Sequence, residues 1–243
     1  MIQFYAPEIA TERALPADES AHCVRVLRMR QGDRISVVDG KGGRYECLIA
    51  DPSPKRLGLE IESVIEEANP WPFRLTLAVA PTKNADRMEW LVEKAVEIGV
   101  DEIVFVDCQR SVRHKMSTAR LRRIAVSAMN QSLKARLPEI RELTPFREFI
   151  EEEGRGEKYF GYCNSGMERC DFVHTATPGA DMTIMIGPEG DFSESEVAEA
   201  MKAGYRPVTF GEQRLRTETA ALYGVQAAHI LASFQGTRSK QEL

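Results

Sequence analysis

The strongest constraint on the fold of this 243-residue chain is a change in hydrophobic pattern after Pro72. From Leu75 onward, short apolar runs alternate with segments whose apolar residues recur every three or four positions, the spacing of one helix face. Strands that alternate with such helices form a mainly parallel sheet, so the sequence predicts an α/β domain over residues 73–243. Its predicted strands are 75–80, 103–106, 158–162, 183–186 and 207–210, and its predicted helices are 85–98, 118–133, 193–203 and 217–235.

Two of the predicted helices have recognisable ends. Ser193 and Glu196 have the spacing of a capping box, which predicts that a helix starts at this point. Gly99 follows the last apolar position of the helix at 85–98, and a glycine commonly ends a helix there.

The residues before Pro72 indicate a separate, smaller β domain. Residues 35–65 have the pattern of short strands separated by turns at 39–43 and 51–54. In the last strand, 57–65, the apolar residues at 57, 59, 61 and 65 are expected on one buried face and the glutamates at 60 and 62 on the other. The segment 66–72 contains two prolines and breaks this pattern. We therefore predict domains at 1–68 and 73–243.

Basic residues concentrate in two segments, although the formal net charge is -5. Residues 110–141 carry nine lysines and arginines against one glutamate, and residues 25–44 carry six more. A solvated helix face would explain either segment alone. Two such segments together favour an extended polyanion as the partner.

Other features favour a cytoplasmic protein without a metal. The N-terminus lacks a basic start followed by an apolar run, and no stretch approaches the roughly 20 apolar residues that span a bilayer. The five cysteines are scattered without a Cys-x-x-Cys pair, which favours reduced thiols. Cys163, Cys170 and His174 could ligate a metal, but a fourth ligand at a recognisable spacing is missing.

Two glycine-containing loops, 187–191 and 211–217, each follow a predicted strand of the α/β domain. Ligands of parallel sheets bind beyond the carboxyl ends of the strands, where glycine lets the backbone approach and helix N–H groups bind acceptor atoms. An ordinary strand-to-helix turn also contains a glycine and a cap, so each loop alone leaves both interpretations open. Neither loop contains the Gly-Lys-Ser/Thr of a nucleoside triphosphate site, and Gly40-Lys41-Gly42 lacks the third glycine of a dinucleotide site.

Several motifs in this order resemble one family. They are IGPEG at 186–190, RLRTETA at 214–220, EKAVEIGV at 93–100 and RSV at 110–112, with His22 before VLR at 26–28. Together they resemble the RsmE-type 16S ribosomal RNA uridine-N3 methyltransferases of the SPOUT superfamily, and the resemblance covers essentially the whole chain.

The resemblance implies a PUA-like RNA-binding β domain at 1–68 and a SPOUT methyltransferase domain with a deep trefoil knot at 73–243. It also implies a homodimer whose active sites use residues from both subunits, acting on 16S ribosomal RNA in the small subunit. The implied cofactor is S-adenosylmethionine. Carried over to matching positions, its contacts are expected at Gly161, Tyr162, Gly187, Glu189, Gly190, Phe210, Gly211, Leu215, Arg216 and Thr217.

The implied reaction narrows the catalytic candidates. The imide N3 of uridine is a poor nucleophile until its proton leaves, so a base must accept that proton or cationic donors must stabilise the anion. Arg216 is expected in the electrostatic role, and Glu189 and Glu218 are candidates for the base. Either glutamate could instead interact with N–H groups at a helix start, so the base stays unassigned.

The sequence departs from the family pattern at three positions, and two alternative functions stay open. Asn130 stands where the family often has an acidic residue, Lys134 where arginine is common, and Asp191 where glycine is frequent. A methyltransferase acting on another RNA, or a non-catalytic ribosome-assembly factor, would have a similar fold. The predicted RNA contacts are Arg25, Arg28, Arg110, Arg113, Arg120, Arg123 and Lys134.

Overall fold

The computed structural model describes residues 2–152, 154, 156–163 and 168–238. The described residues form two compact units. The smaller unit comprises those of Met1–Pro70 together with Val126–Leu137, and the larger comprises those of Trp71–Ala125 and Pro138–Leu243.

The smaller unit contains a four-stranded sheet with its strands in chain order. The strands are β1 (Gln3–Tyr5), β2 (Arg34–Val38), β3 (Gly43–Asp51) and β4 (Gly58–Glu66). β1 pairs with β2 in parallel, and the other neighbours are antiparallel. Two short helices, α1 (Ile9–Glu12) and α2 (Ala17–Ala21), and a π-helical turn at His22–Val26 connect β1 to β2.

One expectation for β4 is wrong. Ile61 pairs with Cys47 and Ser63 pairs with Glu46, so two residues of β4 span one step of β3 at this point. Beyond this β-bulge every residue of β4 is exposed, including the neighbours Val64 (54%) and Ile65 (53%), so the end of the strand has no buried face. Leu57 and Leu59 are buried as expected.

Residues 126–137 belong to the smaller unit although they lie far away in sequence. They include the end of helix α4 (Thr118–Gln131), which is two residues shorter than predicted, and Leu133 beyond it has left-handed backbone (φ 55°). The Arg44 guanidinium donates to the Leu133 carbonyl at 2.9 Å, and the Arg136 guanidinium donates to the Glu67 carbonyl at 3.0 Å. These charge-assisted bonds fasten the segment to the sheet of the unit.

The larger unit contains a seven-stranded sheet in which every described pair is parallel, as the sequence predicts. The strands are β5 (Leu75–Val79), β6 (Glu102–Asp107), β7 (Glu139–Pro145), β8 (Glu157–Gly161), β9 (Cys170–Asp171), β10 (Met182–Ile186) and β11 (Arg206–Thr209). Their order across the sheet is β7-β6-β5-β10-β8-β11-β9. All five residues of β10 are buried, so this strand is central to the core.

The helices of the larger unit cover this sheet. They are α3 (Ala85–Ile98), the start of α4, α5 (Phe146–Glu151), α6 (Phe172–Thr175), α7 (Glu194–Lys202) and α8 (Thr217–Arg238). α3 has the predicted bounds, with the Asn84 side chain accepting from Asp86 N–H at its start and Gly99 (φ 133°) at its end. The predicted capping box at Ser193 and Glu196 is present at the start of α7. No helix in the described ranges has the length and apolarity to cross a membrane.

A polar cluster joins the start of β8 to β11. The Glu157 carboxylate accepts hydrogen bonds from the Tyr159 hydroxyl and, at 2.9 Å each, from the N–H and hydroxyl of Thr177. Arg206 lies 3.0 Å from the same carboxylate. Burial alone would raise the pKa of Glu157, but these donors hold the pKa below its usual value.

Candidate active site

A cleft of about 650 Å³ lies where β8, β10 and β11 end in the larger unit. The three strands are parallel, so their carboxyl ends and the loops that follow them meet at one edge of the sheet. The lining includes nine of the ten predicted cofactor contacts, namely Gly161, Tyr162, Gly187, Glu189, Phe210, Gly211, Leu215, Arg216 and Thr217. The sequence thus located the loops that form one cavity.

Hydrogen bonds with three other segments hold the loop at 187–191. The Thr217 hydroxyl, at the start of α8, donates to the Gly187 carbonyl at 3.1 Å. The Glu189 carboxylate accepts from the backbone N–H of Lys83 at 2.9 Å. Gly190 does not line the cleft, but its carbonyl accepts a hydrogen bond from Arg110 at 3.0 Å, which helps to hold the same loop. The loop is therefore positioned by contacts from several directions.

Asp191 fits a position that favours glycine. Its backbone is left-handed (φ 61°), a conformation that aspartate and asparagine adopt more readily than most residues. Its carboxylate accepts from the N–H of Cys163 at 3.0 Å and from the N–H of Phe192 at 2.9 Å. Desolvation and the nearby Asp191 raise the pKa of the Cys163 thiol. The aspartate thus links the loops that follow β8 and β10.

Gly187 and Gly211 of the cleft are favoured as glycines for different structural reasons. A Cβ at Gly187 would lie 3.0 Å from the Phe192 ring, which is buried, so a side chain there would press on the core. A Cβ at Gly211 would meet nothing within 4 Å, but the backbone (φ 104°) favours glycine. The loop after β11 therefore leaves open space at the cleft.

The cleft is lined by charged groups of both signs. Four arginines line it, namely Arg87, Arg169, Arg214 and Arg216, together with the acids Glu189, Asp191 and Glu212. The Arg169 guanidinium donates to the Tyr162 carbonyl at 3.0 Å. The Arg216 side chain is exposed and makes no hydrogen bond or ion pair with the residues that the structure describes. Its guanidinium is available to a ligand.

The two candidate bases are both engaged. Glu189 is exposed and holds the Lys83 N–H, as described above. The Glu218 side chain is only 8% exposed, and its carboxylate lies 3.5 Å from Nε of Arg87. Glu218 does not line the cleft, whereas Arg87 does. Arg87 and Arg169 line the cleft, but the sequence did not predict either as a cofactor contact, since an isolated arginine in a helix or beside a short strand has no distinctive pattern.

The residues of the cleft fit S-adenosylmethionine. Ile186, Pro188, Phe210 and Leu215 offer apolar walls for an adenine ring. The carboxylates can accept hydrogen bonds from ribose hydroxyls, and the arginines can bind the carboxylate of the methionine part. A volume of about 650 Å³ lies within the range of small-molecule sites.

The predicted RNA contacts divide into two groups. Arg25, Arg28, Arg113 and Arg123 make no hydrogen bond or ion pair through their side chains with the residues described by the structure. Arg110 instead donates hydrogen bonds to the carbonyls of Gly190 and Phe192. Arg120 forms an ion pair with Glu89 at 2.6 Å. Lys134 also has an interaction partner within the protein and belongs to this second group.

Among the described residues, which include Cys163, Cys170 and His174, no group of three or more His, Cys, Asp or Glu side chains is arranged to hold a metal ion.

Comparisons with known proteins define the class. A family model described as an RNA methyltransferase domain matches residues 69–229, and a model described as an RNA methyltransferase PUA domain matches residues 15–62. The first match covers more than half of the chain, so the protein belongs to the RNA methyltransferase family.

The relatives narrow this class. The chain is 25% identical over 232 residues to ribosomal RNA small subunit methyltransferase E from Bacillus subtilis, with 90% of each chain covered. A crystal structure of a probable rRNA-methyltransferase from Porphyromonas gingivalis is 43% identical with a TM-score of 0.91, over 97% of this chain and 100% of that one. A structure of ribosomal RNA small subunit methyltransferase E from Neisseria gonorrhoeae, bound to S-adenosyl methionine, is 29% identical with a TM-score of 0.83, over 95% and 98%. These matches confirm the resemblance found in the sequence.

Proposed function

We propose that this protein transfers the methyl group of S-adenosylmethionine to N3 of a uridine in 16S ribosomal RNA of the small ribosomal subunit. The observation that carries the proposal is the cleft at the carboxyl ends of β8, β10 and β11, which unites nine of the ten expected cofactor contacts. The Neisseria gonorrhoeae relative, which shares 29% of its residues with this chain, binds the same cofactor.

The cofactor would lie against the three loops. S-adenosylmethionine supplies an electrophilic methyl group on a sulfonium sulfur. Phe210, Leu215 and the backbone at Gly187 and Gly211 would hold the adenosine, since apolar walls and exposed backbone groups suit a planar, hydrogen-bonding base. The loop contacts described above fix these groups before the cofactor arrives, which lowers the cost of binding.

Arg216 would stabilise the reacting uracil. Loss of the N3 proton to solvent leaves a negative charge spread over N3, O2 and O4, and a planar guanidinium can donate to two acceptor atoms at once. The two glutamates proposed as bases are held by Lys83 and Arg87. The geometry therefore favours electrostatic stabilisation by Arg216, with Glu189 and Glu218 acting mainly to position the loop and Arg87.

The protein is also proposed to be a homodimer. α8 exposes Tyr223, Ile230 and Phe234, with exposed fractions of 44%, 47% and 62%. A helix with apolar residues on all sides needs cover on its outer face as well as on its core face. A second copy of the chain would supply this cover, and light scattering of the purified protein tests it.

The remaining expectations concern the domains and the setting of the reaction. We propose RNA binding by a domain at 1–68, through Arg25 and Arg28, and by basic residues of the 73–243 domain. A ribosomal substrate would place the reaction in the cytoplasm. The trefoil knot remains a prediction for the larger domain. Stretching single molecules tests it, because a knotted chain stays shorter than its full contour length.

One experiment tests the function directly. Small ribosomal subunits that lack the modification are incubated with the protein and S-adenosylmethionine, and mass spectrometry maps the methylated nucleotide. Methylation at uridine N3 in 16S RNA supports the proposal. A methyl group on a ribose hydroxyl or on another RNA would contradict it, and so would the absence of both cofactor binding and methylation.

A further inference from the structure

A second depression, of about 550 Å³, adjoins the cofactor cleft in the larger unit. The two cavities share Arg87, Arg214, Leu215 and Arg216 in their walls. A group bound in the depression would therefore lie within about one side chain of a group bound in the cleft. Trp90 of α3 also lines the depression but does not line the cleft.

Trp90 has an unusual environment for a tryptophan. Its side chain is 46% exposed, although tryptophan usually buries most of its large apolar surface. Its indole has no ring contact or hydrogen bond with any residue in the described ranges. The other tryptophan, Trp71, packs against His229 and donates a hydrogen bond to Asp101 at 3.0 Å. The exposed indole of Trp90 is thus free to stack on a planar ligand.

We propose that the depression binds the target uracil, with Trp90 stacking on the face of the base and Arg216 reaching its oxygen atoms. This inference rests on the proposed function, because it assumes a base that must approach the cofactor. An enzyme that modifies a base inside folded RNA has to extrude that base and hold it in a pocket. Stacking on an aromatic side chain offsets part of that cost and strengthens binding by about tenfold to a hundredfold per base.

The surroundings of Trp90 favour a nucleotide over a second protein copy. The depression is lined by three arginines and by the acids Asp86 and Glu218, whereas the centres of protein interfaces are depleted of charged residues. The guanidinium groups of Arg214 and Arg216 form no ion pair or hydrogen bond with a residue that the structure describes. Unpaired guanidinium groups beside an exposed indole are the usual components of a nucleotide site.

Fluorescence gives a readout that does not depend on activity. The chain has two tryptophans, so the Trp71→Phe variant leaves Trp90 as the only indole. Hexauridylate is titrated into this variant, after its melting curve has been compared with that of the parent protein. We expect quenching of the Trp90 emission. Unchanged emission at concentrations that bind the protein would overturn the inference.

Kinetics with small ribosomal subunits separates stacking from folding. Trp90→Ala should raise the KM for the subunit by about tenfold or more and leave the affinity for S-adenosylmethionine within twofold, and Trp90→Phe should restore most of the loss. Met201→Ala, which truncates another exposed apolar residue in α7, is the control and should leave both constants unchanged.

Two outcomes separate this inference from its alternatives. If Trp90→Ala halves the mass measured by light scattering and hexauridylate does not quench Trp90, the indole belongs to an interface between copies and the inference is wrong. If hexauridylate quenches Trp90 but the parent protein methylates no ribosomal RNA, the base site stands and the proposed function fails.

Discussion

The hydrogen bond from Thr217 to the Gly187 carbonyl predicts a specific loss of cofactor affinity. Thr217 is 7% exposed, and its hydroxyl is the contact between the start of α8 and the loop after β10. Thr217→Val keeps the shape of the side chain but removes the donor. Removing the donor of a buried hydrogen bond leaves the carbonyl unsatisfied, which costs about 1–3 kcal/mol. We take the middle of this range, about 2 kcal/mol.

This energy should appear mainly in cofactor binding. The Gly187 loop has to be held in place to form one side of the cleft, so an untethered loop must be ordered when the ligand binds. If the whole 2 kcal/mol is lost from binding, the Kd for S-adenosylmethionine rises by about thirtyfold. If part of it is lost from folding, the rise is smaller and the free energy of unfolding falls by the remainder. We expect a rise of about tenfold.

Calorimetric titration with S-adenosylmethionine and urea unfolding measure the two parts. Thr217→Ser is the matched control, because it keeps the hydroxyl and removes one methyl group, at a cost of about 1 kcal/mol in stability. Its Kd should stay within threefold of the parent value. The reasoning is refuted if Thr217→Val binds the cofactor as tightly as Thr217→Ser and is equally stable.

Three further predictions follow from the described contacts. Arg216→Lys should lower kcat by about tenfold or more and leave cofactor affinity nearly unchanged, because a point charge cannot donate to two oxygens of the uracil anion. If stopped assays give the same kcat for both proteins, Arg216 does not stabilise the anion. Because the pKa of Glu157 is lowered in the folded state, its carboxylate stabilises the fold above pH 4.5, the usual pKa, and this contribution is lost as the pH falls through the folded-state pKa. Glu157→Gln should therefore cost about 2 kcal/mol at pH 7 and lose less stability than the parent in acid, as measured by urea unfolding. Replacing Arg25 and Arg28 by Glu should weaken RNA binding and flatten its salt dependence by about one unit of slope per lost phosphate contact, whereas an unchanged slope would mean that they only solubilise the domain.

The sequence could predict the cleft because its loops depend on local signals. A strand followed by a glycine and a helix start is visible as a pattern, and parallel strands bring such loops to one edge. The bounds of α3 and the capping box at Ser193 were predictable for the same reason. These features involve residues within a few positions of each other.

Contacts between distant residues could not be predicted in this way. Arg44 and Arg136 were counted only as positive charges, but in the smaller unit they bind the backbone carbonyls of Leu133 and Glu67. Arg110 and Arg120 were predicted to contact RNA, yet their side chains are engaged by protein groups. Charge alone does not reveal whether an arginine has a partner, because that partner can lie anywhere in the chain.

The edge strand β7 was missed for a related reason. Its sequence, Glu139–Pro145, mixes charged residues with only two aliphatic ones, Ile140 and Leu143. A strand with one neighbour needs little apolar surface, and charged side chains at an edge discourage pairing with other chains. Such a strand has no hydrophobic run that a sequence pattern can detect.

The position of β10 between β5 and β8 also sets the order in which the cleft can appear during synthesis. A ribosome releases β5 and β8 well before β10, so the two earlier strands cannot complete their central pairing until residues 182–186 have emerged. The last wall of the cleft, at the start of α8, follows about 30 residues later. A nascent chain truncated before Thr217 would therefore lack a site for the cofactor, and the cofactor can stabilise the chain only after the start of α8 has emerged.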